Sequence, residues 1–129
     1  MNQAASPSPR TRKFRQAAFV YLHVGLLYEL SVYAFWRAGL LDGVPGHPIV
    51  WLLLGALIVA VVFWGLWFRE SVWFARVIWA FHGLRLPALI EGAFLRTPGE
   101  GLVPPAFYLV AIFVILANLW MLARAGWDL

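Results

Sequence analysis

Two long, uncharged, apolar stretches constrain this chain more than any other feature. Ile49 to Phe68 runs twenty residues without an ionisable side chain, and Leu102 to Ala123 runs twenty-two with Asn118 as its most polar member. At 1.5 Å rise per residue, about twenty residues carry a helix across the ~30 Å hydrocarbon core of a bilayer. A soluble chain of 129 residues has no interior in which both stretches could be hidden. The chain reads as an integral membrane protein.

Composition supports that reading. The sequence is 63% hydrophobic and 12% charged, against roughly 25% charged in soluble domains, and its mean hydropathy is +0.78. Eight Trp and ten Phe suit aromatic belts at two membrane interfaces. The absence of Cys excludes disulfides, thiolate metal sites and Cys nucleophiles. The net charge of +4 does not point to nucleic acid. Four of the ten basic residues, Arg10, Arg12, Lys13 and Arg15, cluster beside the first apolar segment, where they act as a topology signal and meet anionic headgroups.

Periodicity and breakers divide the chain into four spans. Residues 1–15 read as a flexible, basic cytoplasmic tail, and residues 16–129 as an all-α, four-helix transmembrane domain. The spans cover about 16–38, 49–68, 77–95 and 104–123. Gly43-Val-Pro-Gly-His-Pro48 and Arg96-Thr-Pro-Gly-Glu-Gly101 are turn material, and residues 69–76 suit an interfacial segment. Gly25, Gly55 and Gly65 allow close helix approach. The third span carries His82, Arg85, Pro87 and Glu91, and Pro87 leaves the Gly83 carbonyl without its helical donor. Helices one and three each place a lone Glu before an Arg and a Gly, and helices two and four end in similar aromatic runs. Two helical hairpins of like orientation follow. The basic tail, Arg69, Arg76 and Arg124 fall on one side of this arrangement, which puts both termini in the cytoplasm of a bacterial inner membrane.

An ionisable side chain inside a span costs roughly 2.5–3.5 kcal/mol on insertion scales, so each one requires a reason. Glu29 stands near the middle of helix one, with Tyr33 and Arg37 at i+4 and i+8 on the same face. This line suits a clasp between helices, a contact with a partner or a proton relay. His82, Arg85 and Glu91 form a second set, and Arg85 reaching across to Glu29 is the preferred pairing. His23 and His82 are candidate ligands for haem or a chlorophyll-type pigment, because a neutral imidazole nitrogen binds either metal. No nucleotide loop, metalloprotease pattern or nucleophile triad is present, so the expectation is a non-enzymatic protein without a metal site.

The elements Leu26-Leu-Tyr-Glu-Leu30, Val62-Phe-Trp-Gly-Leu-Trp-Phe68 and Arg85-Leu-Pro-Ala-Leu-Ile-Glu-Gly92 resemble those of the YrdB-like family of small four-span bacterial membrane proteins. The likeness covers about residues 20–122. It implies the four-span topology and singles out Glu29 and Glu91, but the family supplies no function. Three readings remain open. The first is a structural or accessory subunit packed against other subunits of a respiratory or photosynthetic complex. The second is a small proton-coupled transporter or carrier using Glu29, Arg85 and Glu91. The third is a pigment- or haem-binding protein.

Overall fold

A computed structural model describes residues 4–41, 46–96 and 103–128. The expected turns at 43–45 and 97–101 lie outside the described residues, as does the start of the tail. Helix α1 spans Pro9–Arg37, α2 Pro48–Trp67, α3 Val72–Gly83, α4 Leu86–Ile90 and α5 Pro105–Gly126, with a π-helical turn at Glu91–Leu95 between α4 and α5. The described residues form no strand.

Each start has a local cause. The Ser8 hydroxyl accepts from the Thr11 N–H at 3.1 Å, and Pro9 takes the first helical position, where a missing N–H costs nothing. His47 Nδ1 accepts from the Ile49 N–H at 3.2 Å ahead of Pro48. The Ser71 hydroxyl accepts from the Phe74 N–H at 3.3 Å. Helix α2 stops in a left-handed turn at Glu70, with φ of 45°. That conformation costs a side-chain-bearing residue about 1–2 kcal/mol, and the turn returns the Ser71 N–H to the Gly65 carbonyl at 3.1 Å.

Helix α1 thus begins at Pro9 rather than near residue 16. The basic run lies within it, where the sequence suggested a flexible tail. Phe14, Ala17 and Ala18 are fully buried there. Arg10 and Thr11 both engage the Glu70 carboxylate, at 3.6 and 2.7 Å. Lys13 pairs with the Asp128 carboxylate at 3.2 Å and also donates to its carbonyl. Arg76 Nε donates to the Gly126 carbonyl at 3.0 Å. These contacts gather the start of α1, the α2–α3 turn and the end of α5 at one end of the molecule. Arg12 remains exposed, and Arg15 lies over the Trp67 ring at 5.2 Å.

Three helices, α1, α2 and α5, are long and apolar enough to cross a membrane. The third segment differs from the expected span at 77–95. It starts at Val72, breaks after Gly83 and resumes at Leu86. Pro87 has no N–H for the Gly83 carbonyl, which ends the regular ladder as the sequence implied. At the break the Leu84 and Arg85 N–H groups turn back to the Ala80 and His82 carbonyls, at 3.0 and 3.1 Å. The segment finishes at the far end, where Arg96 donates to the Tyr108 hydroxyl at 3.2 Å beside the Phe35–Phe107 ring pair.

Helix α1 packs along α2, the third segment packs along α5, and α1 joins α5; α2 has no extended packing on α4 or α5. The densest core lies at the basic end, where Ala17, Ala18, Ala75 and Ala125 let helix backbones approach Phe14, Leu66 and Leu122. In lipid, such close van der Waals packing holds helices together, since acyl chains are as apolar as the side chains. Ala18→Leu should therefore overfill this core and cost about 1–3 kcal/mol. Leu53→Ala, on a side chain 63% exposed, should stay within about 0.5 kcal/mol of the parent. Thermal melts in one detergent compare the two.

Candidate functional site

Between α1, α2, the third segment and α5 lies a cavity of about 290 Å³. Helix α1 forms its floor with Tyr21, Tyr28 and Glu29, residues spaced so that one helical face carries all three. Helix α2 contributes Gly55, Ile58 and Val59, and α5 contributes an apolar wall from Phe107 to Ile115. His82 and Arg85 enter from the broken third segment. The rim residues Ile58 and Val110 are 50% and 61% exposed, so the opening faces sideways, toward acyl chains in a bilayer.

Two glycines set the position of Glu29. A Cβ on Gly25 would collide with Val59, and one on Gly55 would overlap the Glu29 carboxyl group. Helices α1 and α2 therefore meet closely, as small residues permit, with Glu29 lying over the bare backbone at Gly55. Among the described residues, no hydrogen bond or ion pair within 4.0 Å engages its carboxylate.

Arg85 approaches Glu29 without meeting it. Its guanidinium stands over the Tyr28 ring, 4.7 Å from the centroid, a cation–π contact. Both side chains line the same cavity, but the direct pairing expected from the sequence is absent among the described residues. Arg85 lies in the short turn between α3 and α4, with its guanidinium over Tyr28.

His82 is anchored from behind. Asn118 is fully buried on α5, and its side-chain amide hydrogen-bonds to His82 Nδ1, with Nδ2 at 2.6 Å. Among the described residues, the buried Asn118 Oδ1 has no hydrogen-bond partner. The Tyr21 ring packs on His82 with centroids 5.3 Å apart.

The other candidates disperse. Tyr33 and Glu29 border a separate recess of about 30 Å³ against Pro48 and Trp51, so Glu29 stands between two spaces. Arg37 is exposed and borders neither, which shortens the expected Glu29–Tyr33–Arg37 line to its first two members. Glu91 is exposed on the π-helical turn and does not line the cavity. His23 is exposed, hydrogen-bonds through Nδ1 to the Phe19 carbonyl at 2.8 Å, and does not share the cavity with His82. The facing pair of histidines expected for haem or a chlorophyll-type pigment is therefore not formed. Among the described residues, no group of three His, Cys, Asp or Glu side chains could hold a metal ion.

Tyr21, Tyr28 and Asn118 belong to the site although sequence reasoning did not select them. The signal for Asn118 was its isolation as a polar side chain in an apolar span. For the tyrosines it was their seven-residue spacing on the helix of Glu29. Comparison with protein-family models, curated proteins and solved structures matched none of them.

Asn118→Leu should leave a buried His82 nitrogen unpaired and lower stability by about 1–3 kcal/mol. Adding His82→Leu should restore most of that loss, because replacing both partners of a buried bond is nearly neutral. A double-mutant cycle of melting temperatures measures the coupling.

Proposed function

We propose that this chain is a four-pass integral membrane protein, non-enzymatic, that works as a small carrier for a lipid-soluble solute held in the Glu29–Arg85 cavity. The observation that carries the reading is the convergence of Glu29, His82 and Arg85, from two different segments, on one laterally open space. Intramembrane charges are expensive, and a functional pathway is their commonest reason. An apolar space with a few convergent polar groups is the usual form of a ligand site.

The four-pass topology draws on the third segment, which starts beside Glu70 and ends beside Tyr108. Residues 72–95 would reach about 36 Å at helical rise, enough for the bilayer core. Arg10, Arg12, Lys13, Arg15, Arg69, Arg76 and Arg124 lie toward one end, and Arg37 and Arg96 toward the other. The basic end is cytoplasmic by the positive-inside rule, with both termini there, in a bacterial inner membrane as the YrdB-like resemblance implies. The alternative, an accessory subunit, draws on exposed Trp64, Trp73 and Trp127. Interfacial anchoring accounts for those rings without a partner.

The cysteine-free chain suits a direct test of topology. Single Ser6→Cys and Arg96→Cys variants should react with a membrane-impermeant maleimide from opposite faces of sealed vesicles. Labelling of both from the same face would remove the fourth pass. For the carrier reading, protein extracted into nanodiscs straight from its membrane should retain a small non-phospholipid molecule, seen by mass spectrometry of the organic extract. Val110→Trp, which blocks the rim, should lose it; identical extracts from both proteins would overturn the reading.

A further inference from the structure

The charge pattern of the cavity specifies more than an apolar solute. Arg85 lines the cavity and has no carboxylate within ion-pair distance among the described residues. It stands over the face of Tyr28, and that contact leaves the hydrogen-bonding edge of the guanidinium unused. A planar guanidinium is shaped to take a carboxylate through two parallel N–H bonds. Glu29 lies across the same cavity, held over Gly55 and short of contact. The remaining wall, from Phe107 to Ile115, is apolar and reaches the open rim.

We propose that the solute is a single-tailed carboxylic acid, its carboxylate paired with Arg85 and its proton passed to Glu29. The proposal rests on the carrier reading above and names its substrate class. The acid enters sideways from the lipid in its neutral form, R–COOH. Its O–H bond breaks as the proton bonds to the Glu29 carboxylate, and R–COO⁻ pairs with Arg85⁺. Charge is conserved at each stage: the empty site holds Glu29⁻ and Arg85⁺, and the loaded site holds neutral Glu29, Arg85⁺ and the bound anion. Release reverses both steps. Viewed from water, where the acid is a carboxylate, binding takes up one proton.

The other titratable groups facing Glu29 are Tyr21, Tyr28 and Tyr33 on its own helix, and His82 with Arg85 on the third segment. The lining residues of α2 and α5 include none. Glu29 is therefore the one carboxyl group at the cavity among the described residues. His82 keeps its Nδ1 occupied by Asn118 and lines the same cavity. The tail of the acid lies along the α5 wall, and the rim at Ile58 and Val110 passes it to the surrounding acyl chains.

The test uses the full chain in phosphatidylcholine nanodiscs and two photo-crosslinking probes, a long-chain acid bearing a diazirine in its tail and the methyl ester of the same acid. Peptide mapping reads where each probe attaches. The acid should label the Val110–Ile115 wall about tenfold or more over the ester, the scale of a charge-assisted hydrogen bond. Arg85→Gln should bring acid labelling down to the ester level while ester labelling stays, which also shows that the cavity still forms. Arg85→Lys should keep part of the preference. Acid labelling of the parent should rise as pH falls, and in Glu29→Gln that dependence should flatten. Equal labelling by acid and ester, unmoved by Arg85→Gln, would overturn the carboxylate assignment and leave the carrier reading standing. Loss of acid labelling when phosphatidylglycerol replaces phosphatidylcholine would also overturn it, in favour of a lipid headgroup. Absence of either probe from the cavity would sink both readings.

Discussion

Everything at the centre of this protein depends on how closely α1 and α2 meet at Gly25 and Gly55. No side chain larger than hydrogen fits at either position without displacing Val59 or the Glu29 carboxyl group. In a bilayer that intimacy is the main source of helix association, because lipid offers no hydrophobic penalty to drive it. The same contact presses an acidic side chain against bare backbone and turns α2 away from α4 and α5. A tight seam on one side of the bundle thus creates an open one on the other.

The third segment completes the site by failing to be a regular helix. Pro87 removes the donor that the Gly83 carbonyl needs, and the turn that follows lays the guanidinium on Tyr28. Behind it, α5 fixes the segment through the buried Asn118–His82 bond at 2.6 Å. A buried polar bond in an apolar setting is costly to break, so it specifies register between two helices that otherwise offer each other only aliphatic surface. The cavity is assembled from a break and an anchor a few residues apart.

At the basic end, charged side chains tie the helices together. Arg10 and Lys13 are satisfied by Glu70 and Asp128. The Glu70 left-handed turn is held where two α1 side chains reach its carboxylate. Arg12 keeps its exposure, and Arg15 and Arg69 lie over Trp67 and Trp64, at 5.2 and 5.6 Å. Arginines stacked on interfacial tryptophans combine an apolar body with a charged tip at the depth where headgroups begin. The dense alanine-lined core and these polar ties make this the closed end, with the cavity in the looser half.

Residue by residue, the sequence alone determined the class of molecule, the three apolar helices and the break at Pro87, because hydropathy and proline chemistry act over short stretches of chain. It also marked Glu29, His82 and Arg85 as residues that need a reason to lie within apolar segments, since the cost of a charge in lipid is independent of the fold. Which of them meet was another matter. Arg37, Glu91 and His23 satisfy the same sequence criteria, yet each faces outward, while Tyr21, Tyr28 and Asn118 join the site from less conspicuous positions. That sorting follows from the rotation of each helix about its axis, which is set by contacts such as Gly55 on Glu29 and Asn118 on His82. Those contacts join residues far apart in the chain, and only the tertiary structure brings them together.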